Sequence, residues 1–199
     1  LQQASINKSE NRPHTPGKIR VGFVGRFNPV KGIHTLIKAV RKIPQHIVIE
    51  LKIYGRSNSQ EEIDYLRKLK RLSRGDRRIE FCGELTDKNY TQVFSSFDFI
   101  AVPSLWLETG PYVILEAFQA GVPVIGSNQG GIAELVRHNL NGMLIKSESV
   151  KEWSRALVWI YNHPDILNTW AGNIPALPSS REVAQEMDAL YRKVLTEGK

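Results

Sequence analysis

Residues 19–40 read "IRVGFVGRFNPVKGIHTLIKAV". The apolar run 19–25 predicts a buried strand, and "IHTLIKAV" predicts a helix. The join between them holds Gly25, Arg26, Pro29, Lys31 and Gly32. Gly25 has no side chain, so backbone can approach a ligand closely there. Pro29 suits a helix start, where its missing amide costs nothing. Arg26 can fork onto phosphate oxygens, and Lys31 adds a compact charge. Two cations beside a helix start predict an anionic ligand, against the plainer reading that both face solvent.

Working outward, the alternation continues. Further apolar runs at 47–54, 78–83, 98–102, 123–126 and 142–145 read as strands. Helix-like segments fall near 31–43, 60–73, 87–96, 111–120, 131–138, 149–162, 165–172 and 180–196. This spacing predicts an α/β fold: a Rossmann-like, doubly wound parallel sheet of about six strands with helices on both faces. Ligands of such sheets bind at the carboxyl ends of the strands. Gly25 to Gly32, Gly55 to Ser57, Gly83 to Leu85, Pro103 to Gly110 and Ser127 to Gly131 all fall there. The glycines make neither the dinucleotide fingerprint nor the lysine-containing P-loop, so a nicotinamide or ATPase reading loses support. Residues 1–18, polar with Pro13, Pro16 and Gly17, read as a linker or tail, and 19–199 as one domain.

In "PSLWLETGPYVILEAFQAGVPVIGSNQGGIAELV", residues 103–136, Glu108 and Glu116 flank a helix start marked by Gly110 and Pro111. Tyr112 and Glu116 lie one turn apart. A helix N-terminus offers free amides and partial positive charge. With a carboxylate on either side to grip hydroxyls, the arrangement suits a diphosphate. A second turn, Gly130-Gly131, opens the next helix.

These motifs resemble the donor-binding, C-terminal half of the family 4 retaining glycosyltransferases, which have a two-domain, glycogen-phosphorylase-like (GT-B) architecture. The resemblance rests on Gly25-Arg26, Lys31-Gly32, Pro103-Ser104, Glu108, Leu115-Glu116-Ala117, Gly121-Val122-Pro123-Val124 and Gly130-Gly131-Ile132-Ala133-Glu134, in order, across Ile19 to Leu195. It implies that Arg26 and Lys31 hold the diphosphate of a UDP- or GDP-type nucleotide sugar. Glu108 would bind hydroxyls of the transferred sugar and Glu116 those of the ribose. Backbone at Thr109, Gly110, Pro111 and Tyr112 would face sugar and phosphate, and Gly83, Leu85, Pro103 and Ser104 would line base and ribose. By the same resemblance Arg26, Lys31 and Glu108 are the catalytic candidates, and no metal or cofactor is required. The acceptor, a sugar or lipid of polysaccharide or glycolipid synthesis, would sit on an N-terminal domain expected to be absent here. The chain opens with Leu1, which reads as a fragment or processed product.

Two departures stand out. Pro111 replaces a residue with an amide, removing one donor from the helix start. Gly55-Arg56-Ser57 replaces a Gly-x-Gly pattern, so Arg56 either crowds the site or reaches a ligand. The rival readings are an epimerase acting on nucleotide sugars and a non-catalytic nucleotide-sugar-binding module. A glycoside hydrolase fits poorly, because a general acid needs a raised pKa and a positive helix end drives Glu108 the other way.

The net charge of +7 favours anionic partners. Much of it lies in "YLRKLKRLSRGDRR", 65–78, where Ile63, Leu66, Leu69 and Leu72 predict an apolar helix face opposite the cations. This segment reads as a solvated face, with an anionic membrane surface as the active alternative. Nucleic acid is not expected, since Tyr65 is the lone aromatic within it. The single cysteine, Cys82, excludes an internal disulfide and fits a reducing, cytoplasmic compartment, peripheral to the inner membrane face if the basic stretch touches lipid. Cys82, Trp153, Trp159 and Trp170 are expected in packing, and Trp106 either walls or stacks in the pocket. The five histidines show no metal spacing. Asp87, Lys88 and Asn89 read as a helix start. Val183, Met187, Leu190, Tyr191 and Val194 share one face of the last helix, part of it expected to be exposed.

Overall fold

The structure, a computed structural model, describes residues 17–86, 90–178 and 180–197. Six strands form one parallel sheet: β1 (Ile19–Val24), β2 (Ile49–Tyr54), β3 (Ile79–Gly83), β4 (Phe99–Val102), β5 (Val124–Ser127) and β6 (Gly142–Ile145). Their spatial order is β3-β2-β1-β4-β5-β6. The chain therefore winds outward from β1 to β3, then returns to β4 beside β1 and winds the other way. That reversal opens a crevice outside the carboxyl ends of β1 and β4, where such sheets take ligands.

The helices are α1 (Ile33–Lys42), α2 (Gln60–Leu72), α3 (Tyr90–Ser95), α4 (Tyr112–Gln119), α5 (Gly130–Leu135), α6 (Val150–Asn162), α7 (Asp165–Gly172) and α8 (Ser180–Glu197). Two apolar cores separate them. One lies under α1, α2, α6 and α7 and includes Val21, Phe23, Leu36, Leu69, Phe99, Trp153 and Trp170. The other lies under α3, α4 and α5 and includes Phe94, Phe97, Ile100, Val102, Ile114 and Ile132. Successive residues of β4 alternate between the two cores, as the two-residue strand period requires. Gly22 is demanded by this packing, since a Cβ there would stand 2.5 Å from the Phe97 ring.

Several expected boundaries shift. The first helix is interrupted: Pro29–Lys31 form a short 3-10 turn, and Gly32, at φ +67°, breaks it from α1. α5 stops at Leu135 rather than 138, where the Asn141 side chain takes the Arg137 amide at 2.8 Å and Val136 turns extended. In α2 the buried face is Glu62, Tyr65 and Leu69, and Ile63 is exposed, so the expected every-third-residue stripe is corrected to a 3.6-residue one. Cys82 is only half-buried because β3 is an edge strand. Burial pushes its thiol pKa up. Trp153 and Trp170 are fully buried, whereas Trp159 is 39% exposed. The apolar face of α8 is exposed from Val183 to Leu195. The expected helix start at 87–89 lies outside the described residues.

Candidate functional site

The loop after β1 is pinned on both sides. The Gly25 amide donates to the Tyr54 carbonyl at 3.1 Å and the Phe27 amide to that of Arg56 at 3.1 Å. The Asn28 side chain accepts from the Val30 amide at 3.1 Å, so the turn that carries Lys31 is capped. A Cβ on Gly32 would lie 1.9 Å from the Pro103 carbonyl oxygen. Only glycine permits both that approach and the left-handed backbone. The loop after β4 is thereby pressed against the loop after β1. The Val30 carbonyl joins them, accepting from the Leu105 amide at 2.7 Å and the Ser104 hydroxyl at 3.1 Å.

The contact places Lys31 on Glu108. Their Nζ and Oε2 atoms are 2.9 Å apart, and the Glu108 side chain is 14% exposed. The Glu108 carbonyl accepts from the Gly131 amide at 2.6 Å. Cβ atoms on Gly130 and Gly131 would stand 3.0 and 2.8 Å from that carbonyl. The two glycines thus seat the Glu108 loop, and the Gly131 amide is already used. Gln129 completes the seat, donating to the Ser104 carbonyl at 2.9 Å and to that of Trp106 at 3.2 Å. The other carboxylate oxygen of Glu108, Oε1, is buried with no hydrogen-bond partner among the described residues. A buried acceptor left unpaired is costly, so this atom points to a hydroxyl or amine donor supplied from outside the chain.

α4 begins directly after this loop. Pro111, at its N-terminus, is buried, and among the described residues no N-cap side chain bonds the first turn. The helix therefore presents its partial positive charge beside Glu108 and Lys31. One turn in from the exposed Tyr112, Glu116 is half-buried. It lies close to Tyr90 of α3, whose phenol pKa is pushed up by burial first and then by the Glu116 carboxylate. The Tyr90 hydroxyl is buried and, besides the neighbouring Glu116 carboxylate, meets no hydrogen-bond partner among the described residues. Tyr90 carries no sequence signal for this position; its placement follows from α3 packing beside α4.

Arg26 is less firmly held. It is 57% exposed, with Nη1 4.0 Å from Glu62 Oε1. Glu62 itself is 5% exposed, and its other oxygen accepts from the Asn58 amide at 2.7 Å. The Ser59 hydroxyl accepts from the Glu62 amide at 3.2 Å, a capping-box start to α2. The Ser59-x-x-Glu62 spacing could have flagged this carboxylate in the sequence. Arg56 pairs with Glu84 at 3.4 Å, both side chains exposed, bridging the ends of β2 and β3. Gly83 adopts φ +81° and its carbonyl accepts from the Gly55 amide at 2.7 Å. Leu85 packs at the margin of the second core.

The structure thus brings Gly25, Arg26, Lys31, Pro103, Ser104, Glu108, Thr109, Gly110, Pro111, Gly130 and Gly131 into one region. Pro103 and Ser104 are buried, with the Ser104 side chain committed to the loop junction. Trp106 and Leu107 stand exposed on the rim. Among the described residues, no group of three His, Cys, Asp or Glu could hold a metal ion.

Fold and crevice together define a doubly wound α/β domain with the Lys31–Glu108 pair at its switch point. The chain belongs to the glycosyl transferases group 1 family, which matches residues 5–175. Its GT-B-type fold corresponds to the C-terminal domain of a two-domain enzyme. The putative glycosyltransferase YtcC of Bacillus subtilis is 28% identical over 185 residues, 87% of this chain and 45% of that one. Sucrose-phosphate synthase from Thermosynechococcus elongatus superposes with a TM-score of 0.77 at 29% identity, covering 90% of this chain and 46% of that one. HepE from Anabaena, in complex with UDP and glucose, gives a TM-score of 0.71 at 28% identity, covering 79% of this chain and 42% of that one. The chain spans less than half the length of the curated relatives it matches.

Proposed function

We propose that this chain is the donor-binding half of a retaining glycosyltransferase acting in polysaccharide or glycolipid synthesis. The observation that carries the reading is the Lys31–Glu108 pair at the mouth of α4, with Glu108 Oε1 buried and without a partner among the described residues. A nucleoside-diphosphate sugar satisfies both halves of it. Its diphosphate meets Lys31, Arg26 and the first amides of α4, and a sugar hydroxyl donates to Glu108 Oε1. Glu116, one turn deeper, takes ribose hydroxyls. Gly83 and Leu85 line the base. Pro111 supplies no amide, so the lysine and Arg26 carry more of the phosphate charge. The UDP and glucose bound by HepE support this class of ligand.

In transfer, the bond between the sugar's anomeric carbon and the phosphate oxygen breaks, and a bond to the acceptor oxygen forms. Negative charge grows on the departing diphosphate. Lys31, Arg26 and the α4 N-terminus are positioned where that charge develops, and preorganised donors of this kind are worth roughly 10²–10³-fold each in rate. The scheme uses no divalent ion. The acceptor binds to a separate N-terminal domain, so this chain by itself binds donor without transferring sugar.

Calorimetric titration of the purified chain with UDP, GDP and ADP, each with and without magnesium, tests the reading. Binding of one nucleotide, unchanged by magnesium, is expected. Binding of none, or sugar transfer by this chain alone, would contradict it.

A further inference from the structure

The opposite end of the sheet gathers a different set of cations. α1 and α2 both finish there, where β2 and β3 begin. Residues 65–78 contain seven lysines and arginines and one carboxylate, Asp76. That carboxylate is already held by Arg78 at 2.8 Å. Arg78 also donates to the carbonyls of Val40 and Ile43 at 2.9 and 3.0 Å, so the C-terminal end of α1 is satisfied. Arg41 donates to the Leu72 carbonyl. Structural needs are met by these two arginines. Lys42, Lys70, Arg71, Arg74 and Arg155 are exposed and form no ion pair among the described residues.

Two shallow concavities open along this face and share Lys42. One, of about 330 Å³, is rimmed by Lys38, Arg41 and Lys42 over Leu72 and Val150. The other, of about 360 Å³, is lined by Pro44, Arg155, Val158 and Trp159. A merely solvated face needs no apolar groove between its cations and no tryptophan on its edge. Cations spread over three helices do not converge on a small dissolved anion. Nucleic acid would call for aromatics interleaved among the cations, and here the groove has Trp159 alone. Charged heads above an apolar floor, with an indole at the border, match a lipid headgroup region.

We propose that this face docks on an anionic bilayer. Lipid phosphates meet Lys42, Arg71, Arg74 and Arg155, and Trp159 enters at headgroup depth. The carboxyl-end crevice then points away from the lipid, and neither site depends on the other.

The test is flotation of the 199-residue chain with phosphatidylcholine vesicles, with and without phosphatidylglycerol. Binding should require phosphatidylglycerol and fall steeply with salt. Each of Lys42→Gln, Arg74→Gln and Arg155→Gln should weaken it by about fivefold, with nucleotide binding unchanged. Brominated lipid should quench tryptophan fluorescence, and Trp159→Phe should remove that quenching. Equal binding to both vesicle types, or none, overturns the proposal. So does RNA or polyphosphate binding without vesicle binding, or quenching that survives Trp159→Phe.

Discussion

The cations nearest the crevice at one end of the sheet and the exposed cations at its other end are held differently. At the carboxyl end Lys31, Arg26 and Arg56 each face a carboxylate, Glu108, Glu62 and Glu84 in turn. At the amino end Lys42, Lys70, Arg71 and Arg74 are exposed, with no carboxylate partner among the described residues. Lys31, in the shortest and most buried of these pairs, is held at a fixed place and loses little freedom when a ligand arrives. An unpaired, exposed cation contributes field rather than position, which suits a diffuse anionic surface. On the two proposals above, the difference separates a site that orients a bond from a face that is only attracted.

The largest expected effect tests what fixes the carboxyl end. Gly32→Ala places a Cβ against the Pro103 carbonyl at a left-handed residue. It should cost roughly 3–5 kcal/mol of stability, read as a fall in the urea midpoint. A loss below about 1 kcal/mol would show that the two loops are not locked together.

Next, Asp76→Asn should cost about 2–3 kcal/mol at neutral pH, because it strips a largely buried arginine of its partner. The Arg78 hydrogen bonds, with backbone help, hold the Asp76 carboxyl below its ordinary value of 3.8. Its contribution is therefore full above that value and lost as pH falls through the lower folded-state pKa. Denaturation curves of the two proteins should converge in acid. A difference that persists there would assign the loss to packing instead.

Glu108→Gln sharpens the contrast in the other direction. The charged partner of Lys31 is lost, but that lysine keeps a neutral acceptor and some contact with solvent, so the substitution should cost about 1–2 kcal/mol of stability. It should still lower affinity for a nucleotide sugar by about tenfold, while the bare nucleotide is bound nearly as before. The smallest effect belongs to Arg26→Ala. The side chain is exposed and loosely paired, so thermal stability should shift by under about 0.5 kcal/mol.

Much of this was legible in the sequence because period and punctuation agreed. Apolar runs of strand length alternated with helical segments, and Gly25, Gly32, Gly110 and Gly130-Gly131 marked the strand ends. Lys31 and Glu108, far apart in sequence, could be suspected from their helix starts, but not paired. Their contact depends on Gly32 lying against Pro103, a tertiary fact with no local trace. Tyr90 and Gln129 were missed for the same reason: each acts through a neighbour brought in by the fold. Glu62 was missed because α2 was read on a three-residue repeat, which placed it off the buried face. Cys82 was assigned to the core because strand order, and hence which strand is an edge, is not written in any one strand.

The carboxyl-end pair is proposed to hold a diphosphate. Calorimetric affinities of UDP and UMP for the native chain and Lys31→Ala test this most directly. Native protein should prefer UDP, and Lys31→Ala should lose roughly 10–100-fold on UDP and little on UMP. Equal losses on both nucleotides, or none, would contradict it.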